Sequence, residues 1–155
     1  MTEYLMSSEA AKNEPHRTLL TAKNRLAYLT DHDWALLAEK SEILAFTNEE
    51  VIIQAGVRPR QLFFILNGKA LIESARGTRL AEVSEGDICG EMSFLEDTIA
   101  SARVVAEGNV ETLAIEWTAL DSLFEQYPDL GSRFFHSIAI KLSHRLRSQV
   151  SRPRG

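Results

Sequence analysis

The sequence has few of the features that mark secreted or membrane proteins. Cys89 is the only cysteine among 155 residues, so no disulfide can form within the chain. The sequence does not start with a charged stretch followed by an apolar run and a small-residue cleavage site. No run of about eighteen apolar residues occurs either. We therefore predict a cytoplasmic protein without a membrane span.

The histidines are few and poorly placed for metal chemistry. A metal-dependent β-roll enzyme needs two or three histidines and a carboxylate that converge inside the barrel. The four histidines here all fall in predicted helical segments: His16, His32, His136 and His144. No nucleophile has a base at a useful spacing. We predict that the chain is not an enzyme and needs no cofactor.

An excess of positive charge is also absent. The formal net charge is −5, which disfavours general affinity for nucleic acid or anionic lipid. The basic residues that follow position 129 are interpreted as a solvated helix face and tail, because no aromatic residues are interleaved with the final charges. No helix-turn-helix pattern follows the last predicted helix, so we expect no DNA-binding domain.

The hydrophobic pattern predicts one domain that begins with helices. Residues 1–14 are polar without a clear period, and we expect them to be loosely ordered, with the domain over residues 15–155. Helices are predicted within residues 15–44. The second of them starts at a capping box formed by Thr30 and Asp33, and its Trp34, Leu37 and Ala38 share one face.

The central segment, residues 45–116, predicts a sheet. Short β-branched and aromatic runs alternate with glycines that predict turns, at Gly56, Gly68, Gly77, Gly86 and Gly108. The segment GEMSFLED, residues 90–97, lacks this alternation and predicts a short inserted helix. The fold class is therefore mainly β, an antiparallel, jelly-roll-like β-roll with flanking helices.

Helical periodicity returns over residues 117–150. An apolar stripe with a spacing of four runs along the last helix: Leu130, Phe134, Ile138, Leu142, Leu146 and Val150. Either the roll or a second copy of the chain must cover this stripe. Because the spacing is not a strict heptad, a helix crossing or a short dimer seam is favoured over a long coiled coil. The candidate homodimer contacts are Phe134, Ile138, Leu142 and Leu146.

This order of elements resembles the cyclic nucleotide-binding domain, as in the catabolite activator protein and the regulatory subunits of cyclic-AMP-dependent kinase. The resemblance covers about residues 25–147. Its strongest part is GDICGEMSFL (86–95) followed by SARV (101–104), which looks like the phosphate-binding cassette of that family. VIIQAG and FFILNGKALI add support, with Gly68 at the position of an inter-strand turn of the family.

The resemblance implies a regulatory domain that binds cyclic AMP, cyclic GMP or a related anionic small molecule and signals through its C-terminal helix to a protein effector. The implied ligand-binding residues are Gly90, Glu91, Met92, Ser93, Ala100, Ser101, Ala102 and Arg103. In the family the cassette glutamate, here Glu91, accepts a hydrogen bond from the ribose 2′-hydroxyl. A hydroxyl at the position of Ser101 tends to accompany guanine recognition.

Two residues depart from the pattern of the family. In nucleotide-binding members an arginine follows the cassette glutamate by nine residues and clamps the cyclic phosphate, but here that residue is Ala100, preceded by Ile99 instead of proline. The missing contact is worth about 2 to 3 kcal/mol, or roughly a hundredfold in affinity. Strand alternation places Arg103 on the opposite face, unless a bulge brings it round. Two hypotheses stay open: a weak cyclic nucleotide sensor, or a non-binding relative that serves protein interaction or dimerisation.

Overall fold

Two long antiparallel strands form the centre of the fold. In the computed structural model, which describes residues 26–150, β3 (Gln61–Glu73) pairs with β6 (Arg103–Glu116) along most of its length. The shorter strands β1 and β2 pair with β6, and β4 and β5 pair with β3. Their bounds are Glu42–Phe46, Val51–Ile53, Arg79–Val83 and Ile88–Cys89 respectively. Every pairing is antiparallel, which confirms the predicted roll.

Two glycines bend the long strands instead of reversing the chain. Gly68 lies within β3 at φ +89°, and Gly108 lies within β6 at φ +74°. The register of the β3–β6 pair shifts around Gly68, where a Cβ would lie 2.3 Å from the carbonyl oxygen of Asn109. The predicted turns at these two glycines were therefore wrong, because a positive φ also serves a bulge inside a continuous strand. Gly56 and Gly86 do lie in turns, and the amide of Gly77 closes a turn by donating to the carbonyl of Ser74.

The sheet buries both of its faces. Alternate residues of β3 point to opposite sides, so Leu62 and Phe64 join a core beneath the helices, whereas Phe63 and Ile65 join a core inside the roll. Ala100 belongs to the core inside the roll. The near-continuous hydrophobic run at the start of β3 follows from this double burial.

Helix α1 (Asp31–Glu39) begins at the predicted capping box. The hydroxyl of Thr30 accepts a hydrogen bond from the amide of Asp33, and the carboxylate of Asp33 accepts one from the amide of Thr30. The prediction of helix up to residue 44 was wrong, because residues 42–44 belong to β1. They pair with β6, and this pairing overrides the helix propensity of Glu42, Leu44 and Ala45. The predicted helix before residue 26 and the segment 1–14 lie outside the described residues.

Three further helices complete the described chain. They are α2 (Glu91–Glu96), α3 (Trp117–Gln126) and α4 (Pro128–Val150), so the short inserted helix and the long C-terminal helix are confirmed. None of the helices within residues 26–150 combines the length and the apolar character that a membrane crossing needs.

The first half of α4 is covered by the domain itself. Phe134 and Ile138 are at most 1% exposed, in the same core as Trp34 and Phe64, and Leu142 packs against that core. A second copy of the chain cannot contact Phe134 or Ile138 without unfolding the domain, so their assignment to a homodimer seam was wrong. Leu146, which is 62% exposed, is still available for such a contact.

Candidate functional site

The predicted ligand residues come together around one cavity. Residues 90–93 and 100–102 line a cavity of about 170 Å³ between α2, the strand before it and the end of α4. We call this space the cassette cavity. Its remaining wall consists mainly of apolar side chains: Ile53, Ile72, Ile88, Cys89 and Val104. Seven of the eight residues predicted to bind a ligand therefore line one cavity, whereas Arg103 does not, and Arg145 lines the cavity without having been predicted.

The exception is Arg103, which does not line the cavity. Arg103 stands opposite Glu73 in the β3–β6 register, and its guanidinium donates to the carboxylate of Glu73 at 2.6 Å. This cross-strand ion pair holds the guanidinium of Arg103 against strand β3. Arg103 was expected among the ligand-binding residues, and the structure gives it a structural partner instead.

Gly90 connects strand β5 to helix α2 in a left-handed conformation. Its φ is +90°, and a Cβ would lie 3.1 Å from the terminal carbon of Ile53. Both the backbone conformation and the space therefore favour glycine. The tight turn at Gly90 brings Glu91 into the cavity wall immediately after the strand.

Glu91 is a buried carboxylate. Only 6% of the residue is exposed, and burial raises the pKa of its carboxyl above the ordinary value of 4.5. The amide of Glu91 itself, Arg145 and Lys141 oppose this rise in pKa, whereas the charge of Asp87 adds to it. A buried carboxylate with few donors around it is an acceptor that can take a hydrogen bond from a ligand hydroxyl.

Two cations of α4 face two acids of the cassette segment. The ammonium of Lys141 lies 3.0 Å from the carboxylate of Asp87, and the guanidinium of Arg145 lies 4.0 Å from the carboxylate of Glu91. Asp87 and Glu91 are four residues apart, and so are Lys141 and Arg145. Successive turns of α4 therefore face the two acids in order. Arg145 also lines the cassette cavity. The interpretation of these basic residues as a solvated face was wrong for Lys141, which is mostly buried against Asp87, whereas Arg145 is exposed as well as close to Glu91.

Arg145 is the residue that the sequence analysis omitted. The signal that could have found it is the matched spacing of Asp87 and Glu91 with Lys141 and Arg145. That spacing alone does not say which acids a helix faces, because the two segments are far apart in the chain.

Cys89 is the thiol beside the site. It is 2% exposed, and burial, with the charges of Glu91 and Asp87, raises the pKa of the thiol well above its usual range. Such a thiol stays protonated and unreactive, which agrees with a packing role. Within residues 26–150 no cluster of three His, Cys, Asp or Glu side chains is arranged to hold a metal ion.

A β-roll with an inserted cassette helix and a C-terminal helix against the cavity defines a class of regulatory binding domains. The family profile of the cyclic nucleotide-binding domain matches residues 43–127, which is more than half of the chain. The chain therefore belongs to the cyclic nucleotide-binding domain family, a family of regulatory binding domains and not of catalysts.

Similar proteins agree with this assignment. Cyclic GMP-binding protein C of Dictyostelium discoideum is 25% identical over 124 residues, which make up 77% of this chain but only 5% of that protein. A cyclic nucleotide-binding domain from Methylobacillus flagellatus has a TM-score of 0.76 at 21% identity, over 91% of this chain and 81% of that one. The regulatory subunit of a cAMP-independent protein kinase A from Trypanosoma brucei has a TM-score of 0.65 at 25% identity, over 83% and 49% of the two chains.

Proposed function

We propose that this domain is a weak sensor of a cyclic nucleotide, which it binds in the cassette cavity. The observation that carries the proposal is the convergence of residues 90–93 and 100–102 on one cavity with the buried carboxylate of Glu91 in its wall. Membership of the family supplies the class of ligand.

Cyclic GMP is the ligand that we expect to bind better. Glu91 provides a charged acceptor for the ribose 2′-hydroxyl. Ser101 lines the cavity, and in the family a hydroxyl at its position tends to accompany guanine recognition. The relative from Dictyostelium discoideum is named as a binder of cyclic GMP, and this name supports the same choice.

Two features predict that the affinity is low. Ala100 brings no charge to the cavity, and the missing guanidinium costs about 2 to 3 kcal/mol, or roughly a hundredfold. The cavity of about 170 Å³ is also smaller than the 300 Å³ or more that enclosed ligand sites usually have. The ribose and the cyclic phosphate would fill it, and the base would lie at the mouth beside the end of α4.

This arrangement favours a change in the position of α4 as the response to ligand binding. A ligand at the mouth meets the part of α4 that Lys141 and Arg145 hold against Asp87 and Glu91. A ligand that prefers one position of α4 shifts the population toward it. A protein effector that reads the end of α4 would then sense the ligand.

The test is calorimetric titration of the natural protein and of Ala100→Arg with cyclic GMP and cyclic AMP. We expect the natural protein to bind cyclic GMP weakly. Ala100→Arg should bind it more tightly, by up to roughly a hundredfold, because the added guanidinium donates to the phosphate. No binding by the natural protein at millimolar nucleotide would contradict the sensor function.

A second candidate function is protein interaction without a ligand, possible for a domain that keeps the fold and lacks the cassette cation. The exposed side chains of Leu146 and Val150, four residues apart at the end of α4, favour it. They offer an apolar surface to a second copy or to an effector. A Leu146→Glu variant that changes the sedimentation coefficient of the protein would support this function, whereas tight binding of cyclic GMP by the natural protein would remove its main argument.

A further inference from the structure

The cassette cavity has a positively charged side chain in its wall, and this side chain belongs to α4 and not to the cassette segment. Among the described residues that line the cavity, Arg145 is the one with a positive charge. Two other cations in the neighbourhood have close acidic partners, since Lys141 lies 3.0 Å from Asp87 and Arg103 lies 2.6 Å from Glu73. Ala100 and Arg145 thus stand in the wall of the same cavity.

Arg145 is held less closely than these two cations. Its guanidinium lies 4.0 Å from the carboxylate of Glu91, which is beyond hydrogen-bond distance, and 42% of its side chain is exposed. A guanidinium has five N–H donors in a planar fork that suits phosphate oxygens. Arg145 can therefore turn its donors to an anion in the cavity without breaking a hydrogen bond to Glu91.

We propose that Arg145 supplies the guanidinium that binds the cyclic phosphate of the ligand, in place of an arginine at position 100. This assignment rests on the proposed function. A monoanionic phosphate diester that enters the cavity comes close to the buried carboxylate of Glu91, and a nearby cation is needed to offset the repulsion between the two. Arg145 is positioned at the cavity wall to do so.

The place of Arg145 on α4 links ligand binding to the position of that helix. An arginine within the cassette would hold the phosphate whether or not α4 lay against the cavity. Arg145 can do so only while the end of α4 is docked. The ligand and the docked helix then stabilise each other by the same free energy.

The test is a calorimetric comparison of cyclic GMP with guanosine, which has the same base and ribose but no phosphate. The proteins are the natural chain, Arg145→Ala, Arg145→Lys, and Arg147→Ala as a control that removes a charge from the same helix. We expect Arg145→Ala to weaken cyclic GMP binding by tenfold to a hundredfold, as loss of a charge-assisted hydrogen bond predicts. Guanosine binding should stay within twofold, Arg145→Lys should recover part of the loss, and Arg147→Ala should bind like the natural protein.

The Ala100→Arg background provides a second comparison. With an arginine in the cassette, the further change Arg145→Ala should cost less than threefold, because the phosphate already has its guanidinium.

Three outcomes would count against the inference. If the natural protein binds cyclic GMP and Arg145→Ala binds it equally well, the inference is wrong and the proposed function stands. If Arg145→Ala loses guanosine and cyclic GMP in equal proportion, Arg145 acts on the base or the fold and not on the phosphate. If the natural protein binds no cyclic GMP, the proposed function fails first and this inference fails with it.

Discussion

Replacement of Glu91 by glutamine should stabilise the free domain and weaken its binding of a cyclic nucleotide. Glutamine has nearly the shape of glutamate and removes only the buried charge. Burial raises the pKa of the Glu91 carboxyl, so the folded protein favours the uncharged form and ionisation costs stability. The guanidinium of Arg145 lies 4.0 Å from this carboxylate and is 42% exposed, so it stabilises the ionised form by only about 0.5 kcal/mol.

The size of both effects follows from these contacts. A buried polar group with too few partners destabilises the fold by about 1 to 3 kcal/mol, which exceeds the stabilisation of Glu91 by Arg145. We therefore expect Glu91→Gln to raise the free energy of unfolding at pH 7 by about 1 kcal/mol, or the melting temperature by about 3 °C. The affinity for cyclic GMP should fall about tenfold, because the ribose hydroxyl then donates to a neutral acceptor.

Thermal unfolding between pH 4 and pH 8 tests the origin of the stability gain. A raised pKa contributes stability that is fully present below the ordinary value of 4.5 and is lost as the pH rises through the folded value. The gain of Glu91→Gln should therefore vanish near pH 4 and reach its maximum at high pH. Glu96→Gln, an exposed change on the same helix, controls for the loss of one negative charge. A gain of equal size at pH 4 and pH 8, or a loss at pH 7, would refute this reasoning.

Further predictions concern the fold that supports the site. Gly68→Ala should destabilise the domain by about 3 kcal/mol more than Gly77→Ala, since both glycines have positive φ but only at Gly68 would a Cβ meet backbone, 2.3 Å away; chemical denaturation measures the difference. Phe134→Ala should cost about 4 kcal/mol in the same assay, and the exposed Leu146→Ala less than about 0.5 kcal/mol. Asp33→Asn should lower the melting temperature at pH 7, and the melting temperature of this variant should decrease less at acid pH than that of the natural protein. Burial raises the pKa of Asp33, but the hydrogen bonds from Arg133 and Thr30 outweigh burial and lower it, so this stability is present above the ordinary pKa of 3.8 and is lost as the pH falls below it.

The sequence predicted the roll because its signals are local. Alternating strands, the capping box of Thr30 and Asp33 and the inserted helix after Gly90 each depend on a few neighbouring residues. The wrong assignments also have local causes. A positive φ at Gly68 serves a bulge as well as a turn. The β1 strand contains good helix formers, and only its pairing with β6 decides its structure.

The site was predicted less completely because part of it comes from another segment of the chain. Residues 90–93 and 100–102 follow one another closely, so a cassette pattern could bring them together. Arg145 reaches the cavity from a helix whose place depends on how the buried stripe around Phe134 and Ile138 packs. No local pattern contains that information.

We expect the far half of α4 to be attached less firmly than its first half, which would suit a weak ligand. It meets the cassette through the Lys141–Asp87 and Arg145–Glu91 pairs, in which Arg145 is 42% exposed, and Leu142 packs against the core between them. Two such pairs contribute together about 1 kcal/mol, so we expect them to favour a docked over an undocked position of this end by only about fivefold. A cyclic phosphate that prefers the docked helix by a further 1 to 2 kcal/mol would raise this ratio to roughly 30-fold to 150-fold, so it would remove most of the undocked minority. On the proposed function, high affinity would therefore not be needed for a response, because 1 to 2 kcal/mol of binding energy is as large as the free energy that we expect to hold the end of α4 in place.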